Sequence, residues 1–484
     1  MKKATERTTG ARVGIMGVGH DAYWQQFDGL RAELMAYLKI FEQRVAARDV
    51  DILNAGMVDN AQSAYAAVDR LQSANLDLLF VDMLTYATSA TFGIVAHSLH
   101  IPIVLVALQP RASLDYGRTT TYMQLCNDNI CALPEFAGVA ARMNRPVPQT
   151  IIGTLHDDAE ADAEIARWCA IARVLHALKG ARIGHFGHPL EAMLDMHSDP
   201  TMFTAAFGLH IVQTEIDDLL ARERMVTHAE VDDKTNAILA MFDTPDPGPD
   251  PITTKLTAED LHRAARAAVA LDRFIADFHL DGLAYYYAGE PGSPTERLAS
   301  SLIVGNSLLC AAGFPMCGES DLKTCVAMLI MDRLGIGGSF AEFHPVDFRE
   351  GIILVGHDGP HHIAIAEGKP VLRSLAAYHG KPGSGVSVEF KIKEGPMTML
   401  GITSAADGRF KFVLAEGESV AGPIPATGNT NTRGCFGPDP RGFLKRWIAE
   451  GPTHHFALGV GHHAETIRLI ADALGVECTV VKGT

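Results

Sequence analysis

The chain has no apolar run long enough to cross a bilayer. Its first residues, MKKATERTTGARVGIMG, carry two lysines but no apolar segment behind them. The expectation is therefore a protein with neither membrane anchor nor secretory signal. It is short of positive charge, with 41 Lys and Arg against 57 Asp and Glu and a net charge of −16. Nucleic acid and anionic membrane surfaces need a basic footprint, so neither is expected as a partner. None of the eight cysteines forms a CxxC pair, and their spacing is irregular. This excludes a zinc ribbon or disulfide framework and points to a reduced, cytoplasmic protein. There is no GxSxG elbow, no P-loop lysine motif and no internal repeat. GIMGVGH lacks the spacing of a dinucleotide fingerprint, and a tight strand-to-helix turn explains its glycines better.

What is present is 484 residues, 47% of them hydrophobic, enough for two or three packed domains. The first third alternates apolar strand-like runs (Arg12 to Gly17, Val50 to Leu53, Leu76 to Val81, Ile101 to Leu108) with helical patterns. That alternation implies a parallel sheet covered on both faces, with sites at the loops past the strand ends. A second βα series starts at Ala181 and includes GLAYYY, Gly282 to Tyr287. The proline-rich DTPDPGPDP, Asp243 to Pro251, reads as an exposed connection. After Gly337, short β-like runs separated by glycine turns predict a mostly antiparallel sandwich or barrel. Ile363 to Ala366 reads as one of these strands. The resulting domains are 1–175, 176–336 and 337–484.

Four residues could form one centre. Glu319 lies in GESDLKT before a helical run, Glu342 in GGSFAE between domains, His357 at the end of ILVGH, and one of the pair His462 and His463 in ALGVGHH. Singly, each has a plain reading: a helix-end charge or i,i+4 partner of Lys323, a surface carboxylate, a polar turn, a helix cap. Together, two carboxylates and two imidazoles make an oxygen-rich site without thiolate, suited to Mn²⁺ or another divalent cation. His185, His188 and His197 do not match a helical zinc spacing and read as loop imidazoles. NTNTR, Asn429 to Arg433, reads as a polar loop.

These residues resemble those of L-arabinose isomerase, within the arabinose/fucose isomerase group. The similarity is weak per residue but runs in order along nearly the whole chain. It is carried by GESDLKT, SFAE followed by DFREG, the LVGH ending and GVGHH, with support from GVAARM at Gly138 to Met143 and from HFG at His185 to Gly187. Placed on the family pattern, the metal-binding residues are Glu319, Glu342, His357 and His463, with the two glutamates also catalytic. The resemblance implies two flavodoxin-like α/β domains followed by a β-rich, barrel-like domain. It also implies Mn²⁺ and a homo-oligomer built from trimers, commonly a hexamer. The implied activity is aldose–ketose isomerisation of a sugar through an enediol.

The chain departs from the family where the sugar is held. Gly19 replaces a glutamine before His20, and Asp128 and Cys131 stand in a loop that carries a glutamine and a histidine. Tyr287 keeps an aromatic position, and His462 falls behind the metal shell, where it would orient a ligand or a sugar hydroxyl. Those departures leave open a metal-dependent epimerase or lyase on a related sugar or sugar acid, and a non-catalytic sugar-binding protein.

Overall fold

The computed structural model describes residues 10–287, 289–376 and 385–483. The lysine-bearing start of the chain lies outside these residues. Among the described residues no helix is long and apolar enough to cross a membrane. The chain forms two compact units, one ending at Ala177 and one beginning at Leu178.

The first unit holds strands β1 (Arg12–Val18), β2 (Asp51–Val58), β3 (Leu78–Met83), β4 (Ile103–Gln109) and β5 (Gln149–Thr154). They pair in parallel in the order β2-β1-β3-β4-β5, the flavodoxin-like doubly wound order. Helices α1 (Leu30–Ala46), α2 (Ala61–Ser73), α3 (Ser89–Ser98), α4 (Thr121–Leu125), α5 (Leu133–Arg142) and α6 (Ala159–Leu178) connect the strands and follow the last. β3 is buried along its whole length, as a central strand covered on both faces must be. α2 begins at a capping box in which Asn60 and Ser63 satisfy each other's backbone N–H groups. Gly14 lies inside β1, where a Cβ would stand 2.6 Å from Leu76 Cδ1. Close packing under the sheet, not a turn, requires that glycine.

The second unit opens with the same topology. Strands β6 (Arg182–Gly187), β7 (His210–Thr214), β9 (Gly282–Tyr286) and β10 (Met316–Cys317) form a parallel sheet in the order β10-β9-β6-β7. Its helices are α7 (Pro200–Phe207), α8 (Ile216–Arg224), α9 (His228–Met241), α10 (Ala258–Phe278), α11 (Pro294–Ala299), α12 (Leu302–Ala311) and α13 (Leu322–Arg333). α10 starts at a Thr257–Asp260 capping box and buries an alanine-rich face. Gly305 of α12 approaches Ala268 so closely that a Cβ would lie 2.8 Å from its Cα. The segment 243–251 is mostly exposed, as expected, and leads into the short strand β8 (Thr253–Thr254).

The expected division at 336/337 falls inside this unit, between α13 and β11 (Gly337–Asp347). From there β12 (Ile352–His357), β15 (Gly395–Ser404), β16 (Phe410–Ser419), β17 (Thr430–Cys435) and β18 (Phe456–Val460) join β11 in the order β15-β18-β11-β12-β17-β16. β15 also pairs with β16, which closes the six antiparallel strands into a barrel and leaves no open edge among them. β13 (Val371–Leu375) and β14 (Gly385–Glu389) form a separate small sheet with β8. After α14 (Pro440–Ala449) and α15 (Ala464–Leu474), β19 (Glu477–Val481) adds to β16 in parallel.

Three local expectations change. Glu342 lies within strand β11 and not in a connection. Ile363–Ile365 is a short 3₁₀ turn, with Ala366 making a single bridge to Ile392. NTNTR lies largely in β17, where Thr430, Asn431 and Thr432 are buried; Thr430 Oγ1 donates to Val388 O at 3.2 Å, Thr432 Oγ1 accepts from Ile392 N at 3.0 Å, and Asn431 Oδ1 meets His344 Nδ1.

Candidate metal centre

Strand register brings the site together. β11 pairs with β12 so that Glu342 faces Gly356, which sets His357 beside the glutamate. β11 pairs with β18 so that Ala341 faces Phe456, which sets His455 beside the same glutamate from the other side. Glu319 arrives from the second parallel sheet, just past the end of β10. Both Glu319 and Ser320 have φ of 57°, a left-handed conformation in two successive non-glycine residues. That strain costs on the order of 1 kcal/mol or more per residue and marks a place where the backbone is held for a purpose.

One donor atom each from Glu319, His357 and His455 lies within 4.8 Å of the others, and Glu342, His454 and His455 form a second such group. His455 Nε2 is 3.3 Å from Glu319 Oε2 and 3.3 Å from His357 Nε2. His357 Nε2 is 4.0 Å from Glu342 Oε1. The Phe340 ring packs against both imidazoles, with centroids 4.3 Å from His357 and 4.4 Å from His455. A second layer fixes these groups. Asp321 is fully buried; its Oδ2 stands 3.2 Å from His455 Nδ1 and its Oδ1 accepts from the Lys323 and Thr324 amides at the start of α13. Lys323, also buried, lies 3.7 Å from Asp321, so its ion partner is Asp321 and not Glu319. Glu342 receives His344 Nε2 at 3.2 Å and His454 Nε2 at 2.5 Å.

The electrostatics favour ionised carboxylates. Burial opposes ionisation of Glu342, but the imidazoles of His344, His454 and His357 outweigh it and hold the group far below its ordinary range. Glu319 is lowered in the same way by His455 and His357 against burial. Burial likewise opposes the charge on Asp321, yet Lys323 and His455 bring it to about 2. His455, despite burial, is raised to about 9 by Asp321 and Glu319.

These residues fit a divalent cation. Glu319 Oε2 is buried without a hydrogen-bond partner, and two ring nitrogens face one another at 3.3 Å. Asp321 accepts from His455 Nδ1–H, so a cation that displaced the Nε2 proton would meet an inward-facing lone pair, as in carboxylate–histidine–metal arrangements. A cation there would give all three groups a partner.

The other expected residues lie as follows. His463 is not brought to this cluster. It caps α15 and its backbone N–H donates to Thr398 Oγ1, at the end of β18 away from Glu342. His455 occupies the place expected for it, because the histidine before β18, not the one after it, is in register with Glu342. His462 stands by the Gly417 carbonyl and Glu418, at 3.2 and 3.3 Å, and not behind the metal ligands. Tyr287 lines a cavity of about 290 Å³ together with Glu319, Glu342, His344, His357 and His454. His185 is buried in β6 beside Gln213, contrary to the loop reading, whereas His188 and His197 are exposed. In the first unit, His20, Asp128 and Cys131 gather at one sheet edge around Tyr23. The His20 ring is 5.1 Å from Tyr23, and the Tyr23 hydroxyl is raised by burial, then by Asp128, Tyr86 and Cys131.

Residues 337–477 match the family of L-arabinose isomerase C-terminal domains. The L-arabinose isomerase of Nocardioides sp. is 26% identical over 397 residues, covering 79% of this chain and 76% of that protein. The L-arabinose isomerase of Acidothermus cellulolyticus is 26% identical over 78% of this chain and 75% of its own length. That of Tolumonas auensis is 22% identical over 79% and 76%.

Proposed function

We propose, on the premise that this chain is an L-arabinose isomerase-like protein, that it is a metal-dependent aldose–ketose isomerase acting on a pentose or hexose. The observation that carries this reading is the convergence of Glu319, Glu342 and His357 on the lining of one cavity, with the buried His455 ring beside Glu319 and His357. These four would hold Mn²⁺ or another divalent cation, which supplies Lewis acidity to the carbonyl and adjacent hydroxyl of an open-chain sugar. Glu319 and Glu342 are the base and acid. One carboxylate takes the proton from C2 and, as the carboxyl so formed, returns it to C1, while the other takes the C2 hydroxyl proton and passes it to the C1 oxygen, through an enediol. Both are held ionised by the imidazoles around them, the state a base needs. His344 and His454 keep the Glu342 carboxylate in place, and Asp321 fixes the tautomer of His455.

His463 and His462 drop out of the proposed site because of where they lie. Tyr287 remains as a sugar contact from the cavity wall. His20, Asp128 and Cys131 remain candidates for sugar contact on the strength of their gathering at one sheet edge. A homo-oligomer built from trimers, working in the cytoplasm without nucleic acid or membrane partners, completes the reading; its support is the similarity to the isomerases.

The test is incubation of the Mn²⁺-loaded protein with L-arabinose and a panel of pentoses and hexoses in D₂O. Ketose should form, with deuterium at C1. Glu319→Gln and Glu342→Gln should each cost about 10²–10⁴-fold in kcat with the fold retained. No ketose from any sugar would sink the reading. Ketose free of deuterium would replace proton exchange by a hydride shift or a shielded transfer.

A further inference from the structure

Residues 188–199 run from the end of β6 to the start of α7 as an irregular stretch with one 3₁₀ turn, Leu194–Met196. Met193 lines the cavity together with Glu319 and Glu342, whereas Glu191, Ala192, Leu194, Asp195 and His197 are exposed. Within the stretch only Met196 is buried. Its backbone makes short turn bonds, such as Met193 N to Leu190 O at 3.0 Å and Met196 N to Met193 O at 3.1 Å. A segment with so little core of its own opens locally unless other elements hold it.

Other elements do hold it. Lys323, in the first turn of α13, is fully buried, and its ammonium donates to Asp195 O at 2.6 Å and to Ser198 Oγ at 3.2 Å. Asp195 Oδ2 accepts from His454 N at 2.9 Å. A buried ammonium needs partners, and two of those around Lys323 belong to this surface stretch. Both holding points lead on to the cation centre. Lys323 stands 3.7 Å from Asp321, whose other oxygen faces His455 Nδ1 at 3.2 Å. His454 precedes His455 in the chain and sets its Nε2 2.5 Å from Glu342 Oε2.

We propose that residues 188–199 form a lid on the cavity, pinned by Lys323 and the His454 amide, and that a divalent cation on the carboxylates and imidazoles locks it closed. The inference rests on the cation reading of this site and adds a conformational device to it. A cation on Glu342 and His455 restrains His454, which touches the one and adjoins the other. Through Asp321 it also restrains the Lys323 ammonium. The ion then favours the closed lid by the freedom it removes from the pins. Such coupling is reciprocal: the factor by which the ion slows lid opening is the factor by which a pinned lid tightens the ion.

The test is hydrogen exchange read by mass spectrometry on the full chain, without Mn²⁺ and with Mn²⁺ at a saturation fixed by calorimetry. Peptides within 188–199 should exchange at least about fivefold more slowly with the ion, while the exposed turn at 405–407 keeps its rate. Asp195→Ala combined with Ser198→Ala removes both side-chain links and leaves the Lys323 bond to Asp195 O. In that variant the slowing should fall below about twofold, and the Kd for Mn²⁺ should rise about fivefold or more. Mn²⁺ binding that leaves 188–199 unchanged in the parent overturns the inference and leaves the cation centre standing. Equal slowing in parent and variant overturns it as well, because the pins would then carry nothing. A lid slowed by the ion without ketose from any sugar sinks the isomerase reading alone. No binding of Mn²⁺ sinks both.

Discussion

Asp321 shows how one side chain can serve fold and site at once. One oxygen caps α13 by accepting the Lys323 and Thr324 amides, and the other takes the Thr324 hydroxyl at 2.7 Å and faces His455 Nδ1. Asp321→Asn keeps the cap oxygen but puts an amide donor opposite His455. The ring must then carry its proton on Nε2, the atom that faces Glu319 and His357. Mn²⁺ affinity should fall about 10–100-fold, read by calorimetric titration, and the loss of counter-charge beside buried Lys323 should separately lower stability, read by urea unfolding. Unchanged affinity would remove Asp321 from the positioning role. His361 makes a contrasting case. It is fully buried, neither ring nitrogen has a hydrogen-bond partner, and it packs against Phe390 at 5.4 Å. Burial, then His357, pushes its pKa down to about 3. An unfolded imidazole titrates near 6.5. Between those values the unfolded chain binds a proton that the native chain refuses, so stability falls as pH drops from about 6.5 toward 3. His361→Phe removes that term. The stability lost between pH 7.5 and pH 5 should be about 2 kcal/mol smaller in the variant than in the parent, by urea unfolding at both pH values. Equal losses would mean that His361 protonates freely in the folded state.

Strands, more than loops, deliver the site, and this governs which substitutions it tolerates. A Cβ at Gly356 would stand 1.7 Å from Thr430 O, the partner strand's backbone. Gly356→Ala must therefore push β17 off β12 one residue from His357. The expected outcome is a loss of about 1–3 kcal/mol together with most of the activity. Gly138 sits in α5 with nothing within 4 Å of its would-be Cβ, so Gly138→Ala should stabilise by about 0.5–1 kcal/mol. Thermal unfolding of both variants reads the contrast; a harmless Gly356→Ala would mean the barrel breathes at that pairing. The same dependence on strands explains what could be read from the chain before its structure. Glu319 and His357 follow a local signal, a helix start and a strand end, whereas Glu342 stands in a stretch that reads as a connection and is strand; the alternating strands and helices show through their periodicity. His455 follows no local signal. THHFALGVGHH holds a histidine pair on each side of β18, and only the long-range register of Phe456 with Ala341 decides which pair meets Glu342. Five strand residues span about 17 Å, so the wrong pair is out of reach. NTNTR looks like loop because its side chains are polar, yet in the barrel Thr430 and Thr432 serve neighbouring backbone and Asn431 holds the His344 ring. Ile363 to Ala366 looks like strand because it is apolar, yet it is a buried turn.

At the scale of the whole chain, the proposed cation ligands belong to one compact unit, and to both of its architectures. Glu319 comes from the parallel sheet side, and Glu342, His357 and His455 from the barrel strands. A cation held by all four would tie α13 and its preceding turn to β11, β12 and β18, so its binding energy would count toward the stability of the whole second unit. The first unit, residues 10–177, has its own core of β-strand and helix side chains centred on Phe92, Phe136, Leu79 and Val81, and supplies none of the four. Hydrogen exchange on the intact chain separates these consequences. With free Mn²⁺ at 100 times its Kd, binding contributes about 2.7 kcal/mol to the unit that holds it. The slowest amides of β11, β12, β18 and α13 should then exchange about 100-fold more slowly, while those of β1, β3 and β4 keep their rates. Equal slowing in both units would show that they unfold as one cooperative body. No slowing in the barrel would show that these carboxylates and imidazoles do not hold the ion, and the proposed chemistry would lose its metal.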